Sequence, residues 1–142
     1  LAASIPGAAW TEGILDAPYA TTWSWIADLE MSIPRFDTQV RKIRVVARRS
    51  EDGAEQLRIK STAFGVTLPF DVRLEDGFCL MQARARLYFV LMAAEPDGGG
   101  ERTRFFHLEA VPLPGASLLR AVIQRGVHAD FRNLARLAAQ GF

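Results

Sequence analysis

Residues 117–139, SLLRAVIQRGVHADFRNLARLAA, decide how the rest of the chain is read. Leu119, Val122, Ile123, Val127, Phe131, Leu134 and Ala138 recur at helical spacing and form one apolar stripe. Arg120, Gln124, Arg125, His128, Arg132 and Arg136 fall largely on the other side. A long helix with one apolar stripe needs a sheet to lie on. Gly126 sits on or near that stripe, where it costs about 1 kcal/mol against Ala. Close packing against a strand would account for it, as would a ligand or gap reaching the backbone.

Upstream, the pattern changes to period two. Residues 103–111 form the last strand, ended by Pro112-Leu113-Pro114-Gly115. The cleanest alternation is Val66, Leu68, Phe70, Val72 and Leu74 against Thr67, Pro69, Asp71, Arg73 and Glu75, a strand with one buried and one wet face. Its Pro69 is easiest to place on an edge or at a bulge. Leu57, Ile59, Ser61 and Ala63 alternate before Gly65, and Ile43, Val45 and Ala47 before the polar turn Ser50-Glu51-Asp52-Gly53. Asp76-Gly77 and Asp97-Gly98-Gly99-Gly100 read as hairpin turns. Between them, residues 78–94 suit two short strands, or one long strand bent around 83–86. Nearer the start, residues 9–15 form a strand leading into Asp16-Ala17-Pro18, a helix start. A short helical block follows to about residue 29, and Pro34 is expected to limit any continuation.

Composition bounds the class. The chain has 142 residues, 49% of them hydrophobic, and a net charge of +1. One domain spanning residues 1–142 is therefore expected, large enough to bury a core without staples. The single Cys79 excludes an internal disulfide and favours a cytoplasmic setting. Near-neutral charge argues against a nucleic-acid partner. The longest wholly apolar run, residues 87–94, is far short of the roughly 20 residues that cross a bilayer. The first ten residues lack the basic-then-apolar pattern of a signal peptide.

The order strand, two short helices, six strands and one long helix resembles the START-like, or SRPBCC, superfamily, and within it the polyketide cyclase/dehydrase and lipid-transport group. The carriers are Asp16-Ala17-Pro18 with Trp23-Ser24-Trp25-Ile26-Ala27-Asp28, then Pro34-Arg35-Phe36, the glycine hairpin before Thr103-Arg104-Phe105, and the terminal helix ending Asn133-Leu134. The resemblance implies an α+β helix-grip fold, with a curved antiparallel sheet of about seven strands wrapped around the C-terminal helix. It also implies a cavity for an apolar small molecule between sheet and helix. By alternation, Ile43, Val45, Leu57, Ile59, Val66, Leu68, Phe70 and Val72 face the concave side, opposite Leu119, Val122 and Ile123. Trp23, Trp25 and Phe36 are expected at the pocket mouth, because the short helices border the entrance in proteins this resembles.

Chemistry-bearing residues are few. His107, His128 and Cys79 lie on separate elements, so no metal is expected, and no cofactor motif is present. The glycine run precedes a strand, whereas a phosphate cradle needs a helix behind it. Arg41, Lys42, Arg44, Arg48 and Arg49 lack interleaved aromatics and read as a solvated strand end. His107 and Glu109 share one strand face with Phe105, about 7 Å apart along the strand. If that face points inward, the pair is a general base in an apolar cavity. In the other register Phe106, Leu108 and Ala110 line the cavity instead. Tyr88, with Arg86 two residues away, is a further donor for a ligand carbonyl or enolate.

Three functions follow: binding of an apolar or aromatic ligand such as a lipid, polyketide or terpenoid-like molecule; a cyclase or dehydratase using His107, Glu109 or Tyr88; or an interaction module. The two-sided apolar stretch 87–94 would suit a homodimer or partner surface. The helix reading itself is testable. Phe131→Asp puts a charge on the apolar stripe and is expected to abolish cooperative thermal unfolding by circular dichroism; an unchanged melting temperature overturns it.

Overall fold

The computed structural model describes residues 7–142. The period-two segments become seven strands: β1 (Ala8–Leu15), β2 (Val40–Glu51), β3 (Ala54–Ala63), β4 (Val66–Glu75), β5 (Phe78–Ala83), β6 (Phe89–Asp97) and β7 (Arg102–Ala110). They pair antiparallel in one sheet of order β1-β7-β6-β5-β4-β3-β2. Hairpins link neighbours from β2 to β7, and β1 closes the order by pairing with β7. Between β1 and β2 lie α1 (Tyr19–Ala27) and α2 (Leu29–Phe36), and the chain ends in α3 (Arg120–Ala139), preceded by a 3-10 turn at Ala116–Leu119. This is the α+β helix-grip architecture.

Residues 78–94 resolve into two strands, β5 and β6, joined by a 3-10 turn at Arg84–Arg86. Two proline expectations are corrected. Helix α2 runs through Pro34 to Phe36; near the helix end, the missing N–H costs only one bond and Asp37 N–H still reaches Ile33 C=O at 2.9 Å. Pro18 caps α1 from outside its first turn. Pro69 sits in an inner strand, yet the β4–β5 ladder stops at Phe70↔Ala83, so Pro69 pairs only with Lys60 of β3 and loses no bond on its other side.

Helix α3 lies mainly on β1, with lesser contacts to β7 and α2. The reason is a glycine. A Cβ on Gly13 would stand 2.4 Å from the Phe131 ring, so the ring fills the space a side chain would have taken. Phe131 also stacks on Phe105 of β7, with centroids 6.5 Å apart. Gln124 Nε2 donates to the Trp10 carbonyl at 2.7 Å, satisfying a backbone acceptor of edge strand β1. Below this seam, Val127, Asp130, Leu134, Leu137 and Ala138 are buried. The N-terminal part of the expected stripe is not: Leu119 and Val122 remain exposed. Of the two alternatives for Gly126, close packing on a strand does not hold: a Cβ there would meet only Gln39 Nε2 at 3.5 Å, a side chain of the cavity lining.

The core runs through Leu15, Ile26, Leu29, Phe36, Ile59, Val72, Met92, Phe105 and Leu134. A smaller cluster on the outer face joins Ala8, Leu108 and Ala110 to the half-buried Trp10, Phe89, Leu91 and Phe106. The basic residues of β2 lie on an exposed edge strand, where Arg48 pairs with Glu55 at 2.9 Å. Among the described residues, no helix is long and apolar enough to cross a membrane.

The two helix-facing glycines should respond with opposite signs. Gly13→Ala drives a methyl into the Phe131 ring and is expected to lower stability by about 1–3 kcal/mol. Gly126→Ala meets no obstacle and is expected to raise it by about 1 kcal/mol through helix propensity. Urea unfolding of both variants checks the pair; a neutral Gly13→Ala would show that α3 is not seated by that contact.

Candidate functional site

Because α3 sits over β1, the concave face of β3, β4 and β5 is not covered by helix packing. A cavity of about 450 Å³ remains there, within the ~300–1,000 Å³ typical of ligand pockets. Its sheet wall is built by alternation: Ile59 and Ser61 of β3, Leu68 and Phe70 of β4, Met81 of β5 and Val90 of β6 point into it. Ile33 of α2 and Val122 and Ile123 of α3 face them across the space. Exposed wall residues mark the opening, between the β3–β4 turn and the start of α3. Phe64 is 79% exposed there and Val122 61%. Phe64 has φ +52° and Gly65 φ +75°, a two-residue turn with both positions left-handed. A bulky aromatic is rare in that backbone region. The rim thus holds an apolar ring in solvent at a strained position.

One end of the cavity is polar. Asp37 and Gln39 of the α2–β2 link, Tyr88 before β6 and Glu109 of β7 line it. The face bearing Phe105, His107 and Glu109 points inward: Phe105 joins the main core and Glu109 lines the cavity, whereas Phe106, Leu108 and Ala110 form the outer cluster, so the inward register is the one formed. Tyr88 donates its hydroxyl proton to Glu109 Oε2 at 2.6 Å, and His107 Nε2 stands 3.4 Å from Glu109 Oε1. Behind them Asp130 of α3, 2% exposed, accepts from Thr38 N–H at 2.7 Å and Thr38 Oγ1 at 2.9 Å. Asp37 accepts from the N–H groups of Gln39 and Val40 at 2.7 and 2.9 Å. His107 Nδ1 is buried and has no hydrogen-bond partner among the described residues.

These environments set the charges. Burial pulls His107 toward neutrality, but Glu109, Asp130 and Asp37 outweigh it and raise its pKa. Burial pushes Glu109 up, yet His107 and Tyr88 together hold it below the usual value, as a carboxylate. Burial and the neighbouring Glu109 push Tyr88 well up, keeping it a neutral donor. Asp130 is raised to about 7, first by burial and then by Asp37. Asp37 is raised by its own burial, against the two backbone donors. The result is a row of three polar groups, with Tyr88 hydrogen-bonded to Glu109 and His107 in ion-pair contact with the other Glu109 oxygen.

The structure brings Ile59, Leu68, Phe70, Tyr88, Glu109, Val122 and Ile123 together on the cavity wall, with His107 just behind. Trp23, Trp25, Phe36 and Leu119 are placed elsewhere. Helix α2 turns Ile33 to the cavity while Trp23 of α1 and Phe36 of α2 point into the core. Trp25 stacks on Phe142 with centroids 4.6 Å apart and carries Arg35 over its ring. Arg86 lies exposed in the Arg84–Arg86 turn with φ +54°, off the face of Tyr88. Sequence reasoning missed Asp37, Asp130 and Phe64. A signal existed for Asp130, a charge set on the buried stripe three residues after Val127 and four before Leu134. None existed for Asp37, whose place depends on where α2 ends.

Metal donors differ from the set weighed on sequence. Cys79 is buried, its thiol pushed up to about 12 by burial, and His128 pairs on the surface with Gln124 at 2.8 Å. Instead His107, Glu109 and Asp130 bring one donor atom each within 4.8 Å of one another. Several of their lone pairs are already engaged by Tyr88, Thr38 and each other.

Comparison with solved structures places this architecture among known ones. A START superfamily protein from Mycobacterium smegmatis superposes with a TM-score of 0.69 at 16% identity, covering 94% of this chain and 97% of that one. The Zhui aromatase/cyclase from Streptomyces sp. R1128 gives 0.65 at 16% identity, covering 94% and 93%. An 18 kDa protein from Caulobacter crescentus gives 0.74 at 12% identity, covering 94% and 96%. At such identities the likeness is one of fold, the START-like fold. No family model matches the sequence. No curated protein matches it either.

The buried acids make stability depend on pH. Between pH 3.8 and about 7 the folded chain holds a proton on Asp130 that the unfolded chain has lost, so that contribution fades as pH rises across this window. His107 adds stability that is complete below pH 6.5 and fades as pH climbs through its raised folded value. Glu109 acts oppositely, but only on the acid side of pH 4.5. The melting temperature is expected to fall by several degrees from pH 5.5 to 8, with a shallower slope in Asp130→Asn. Differential scanning calorimetry across that range checks it; a flat or rising profile overturns the charge assignment.

Proposed function

We propose that this chain binds an apolar or aromatic small molecule, of the lipid, polyketide or terpenoid kind, in the cavity between the sheet and α3. The observation that carries the reading is the wall itself: a space of about 450 Å³ lined mainly by Ile, Val, Leu, Phe and Met, open beside Phe64, with polar groups confined to one end. Apolar transfer supplies the affinity, at about 25 cal/mol per Å² buried, and the polar end supplies orientation. The likeness in fold to a START superfamily protein and to an aromatase/cyclase supports a ligand-binding reading.

A second reading uses the same site. The Tyr88–Glu109–His107 chain favours proton transfer to or from a bound ligand, as a cyclase- or dehydratase-type enzyme would require. Under this reading Tyr88 transfers its one hydrogen bond from Glu109 to a developing oxyanion as the ligand reacts, while Glu109 and His107 accept and return the proton. The two separate by the effect of His107→Ala, which abolishes turnover in the enzyme and barely alters affinity in the binder.

Native mass spectrometry of the freshly purified protein, before and after denaturing extraction, is expected to show a bound mass that denaturation releases. The neutral probe N-phenyl-1-naphthylamine should be taken up, and Val122→Trp, at the exposed rim, should weaken uptake by about tenfold, roughly 1.4 kcal/mol, without changing the melting temperature. A protein that carries no mass and takes up no probe overturns the cavity reading.

A further inference from the structure

We propose that the polar end of the cavity receives a cationic amine, so that the ligand is an apolar or aromatic amine and not a fatty acid or other carboxylate. This rests on the cavity reading above and adds the charge of the ligand's head group.

The charge of the wall is one-sided. Its charged residues are Asp37 and Glu109, and neither Lys nor Arg lines the space. The single group able to carry a positive charge nearby, His107, is already set against Glu109 at 3.4 Å. That leaves Asp37 on the wall and Asp130 directly behind with no cation of their own. Each is anchored through one oxygen, Asp37 by Gln39 and Val40 N–H and Asp130 by Thr38. Their second oxygens receive no hydrogen bond among the described residues. Tyr88 spends its proton on Glu109 and so offers the cavity only lone pairs. This end is therefore dominated by acceptors, with the Gln39 amide and Ser61 hydroxyl as the neutral exceptions. A ligand carboxylate would bring a further negative charge and further acceptors to it. An ammonium brings the missing charge and three N–H donors. Both aspartates are pushed toward protonation by burial, as expected of acids lacking a partner.

A divalent cation is the competing occupant, since His107, Glu109 and Asp130 bring donors within 4.8 Å. The arrangement suits it less. Both Glu109 oxygens and one of Asp130 are already engaged by protein donors.

The test is a calorimetric titration of the full chain with three ligands on one ring system: 1-naphthylmethylamine, 1-naphthalenemethanol and 1-naphthoic acid. At pH 7.5 the amine is expected to bind about tenfold tighter than the alcohol, and the acid weaker than both. The readout in each variant is the amine-to-alcohol affinity ratio, with a thermal melt confirming that the variant is folded. Asp37→Asn should bring the ratio toward one. So should Asp130→Asn, if to a smaller degree, because Asp130 lies behind the wall. Lowering the pH to 5.5 should also reduce the ratio, as Asp130, raised to about 7, takes a proton while the amine keeps its own; Asp37, Tyr88, Glu109 and His107 are the other titratable groups facing this end. Alcohol binding without any advantage for the amine, or with the acid tightest, overturns this inference and leaves the cavity reading intact. Failure of all three ligands overturns the cavity reading and this one with it. A stoichiometric divalent metal found by elemental analysis, whose removal by chelator abolishes the amine's advantage, also overturns it and assigns the charge to a metal site.

Discussion

The seating of Phe131 over Gly13 is the contact on which the rest of the molecule depends. It draws α3 onto the edge strand β1, where Gln124 also occupies the Trp10 carbonyl. A helix held at that edge covers β1 and β7 and has too little width to cover β3, β4 and β5 as well. An α-helix with its side chains is about 10–12 Å across, whereas neighbouring strands are about 4.8 Å apart, so a single helix spans only two or three strands. The seven-stranded sheet curves around it, and the remaining concave face has nothing of the chain's own to fill it. The cavity is a consequence of this mismatch in width.

The same geometry explains where the exposed apolar residues lie. The first turns of α3 pass beyond the close contact with β1, leaving Leu119 and Val122 in solvent near the tip of the β3–β4 hairpin. Phe64, Val66 and Leu68 stand exposed on the facing side. Apolar rims of this kind have a cost in water and are informative for that reason. Here they surround an opening lined by the same kinds of side chain.

Polarity is concentrated at the opposite end, where α2, β7 and α3 meet. Asp37, Asp130 and the β7 pair His107 and Glu109 come from three separate segments; Thr38 holds Asp130, backbone N–H groups hold Asp37, and Tyr88 and His107 hold Glu109. Such a network fixes the position of its charges and keeps water from relaxing around them, so any head group entering meets oriented acceptors.

The sequence by itself determined the elements and their order. Period-two alternation located β3 and β4, the turn signals Asp52-Gly53 and Asp76-Gly77 placed the hairpins, and the stripe from Val127 to Ala138 identified the long helix, because these patterns arise from local geometry. It also supplied the wall residues Ile59, Leu68 and Phe70, since alternation assigns a face. Tertiary structure decided what alternation leaves open. Both registers of β7 satisfied a two-sided apolar pattern, and the inward turn of His107 and Glu109 was fixed only by pairing with β1 and β6 and by the helix above them. Trp23, Trp25 and Phe36 read equally well as pocket or core, and their place followed from where α1 and α2 dock. The meeting of Asp37 with Asp130 joins residues 93 positions apart, a juxtaposition that no local period encodes. A strand pattern records which face is buried; how far a helix of fixed width reaches across that face is a property of the packed molecule alone.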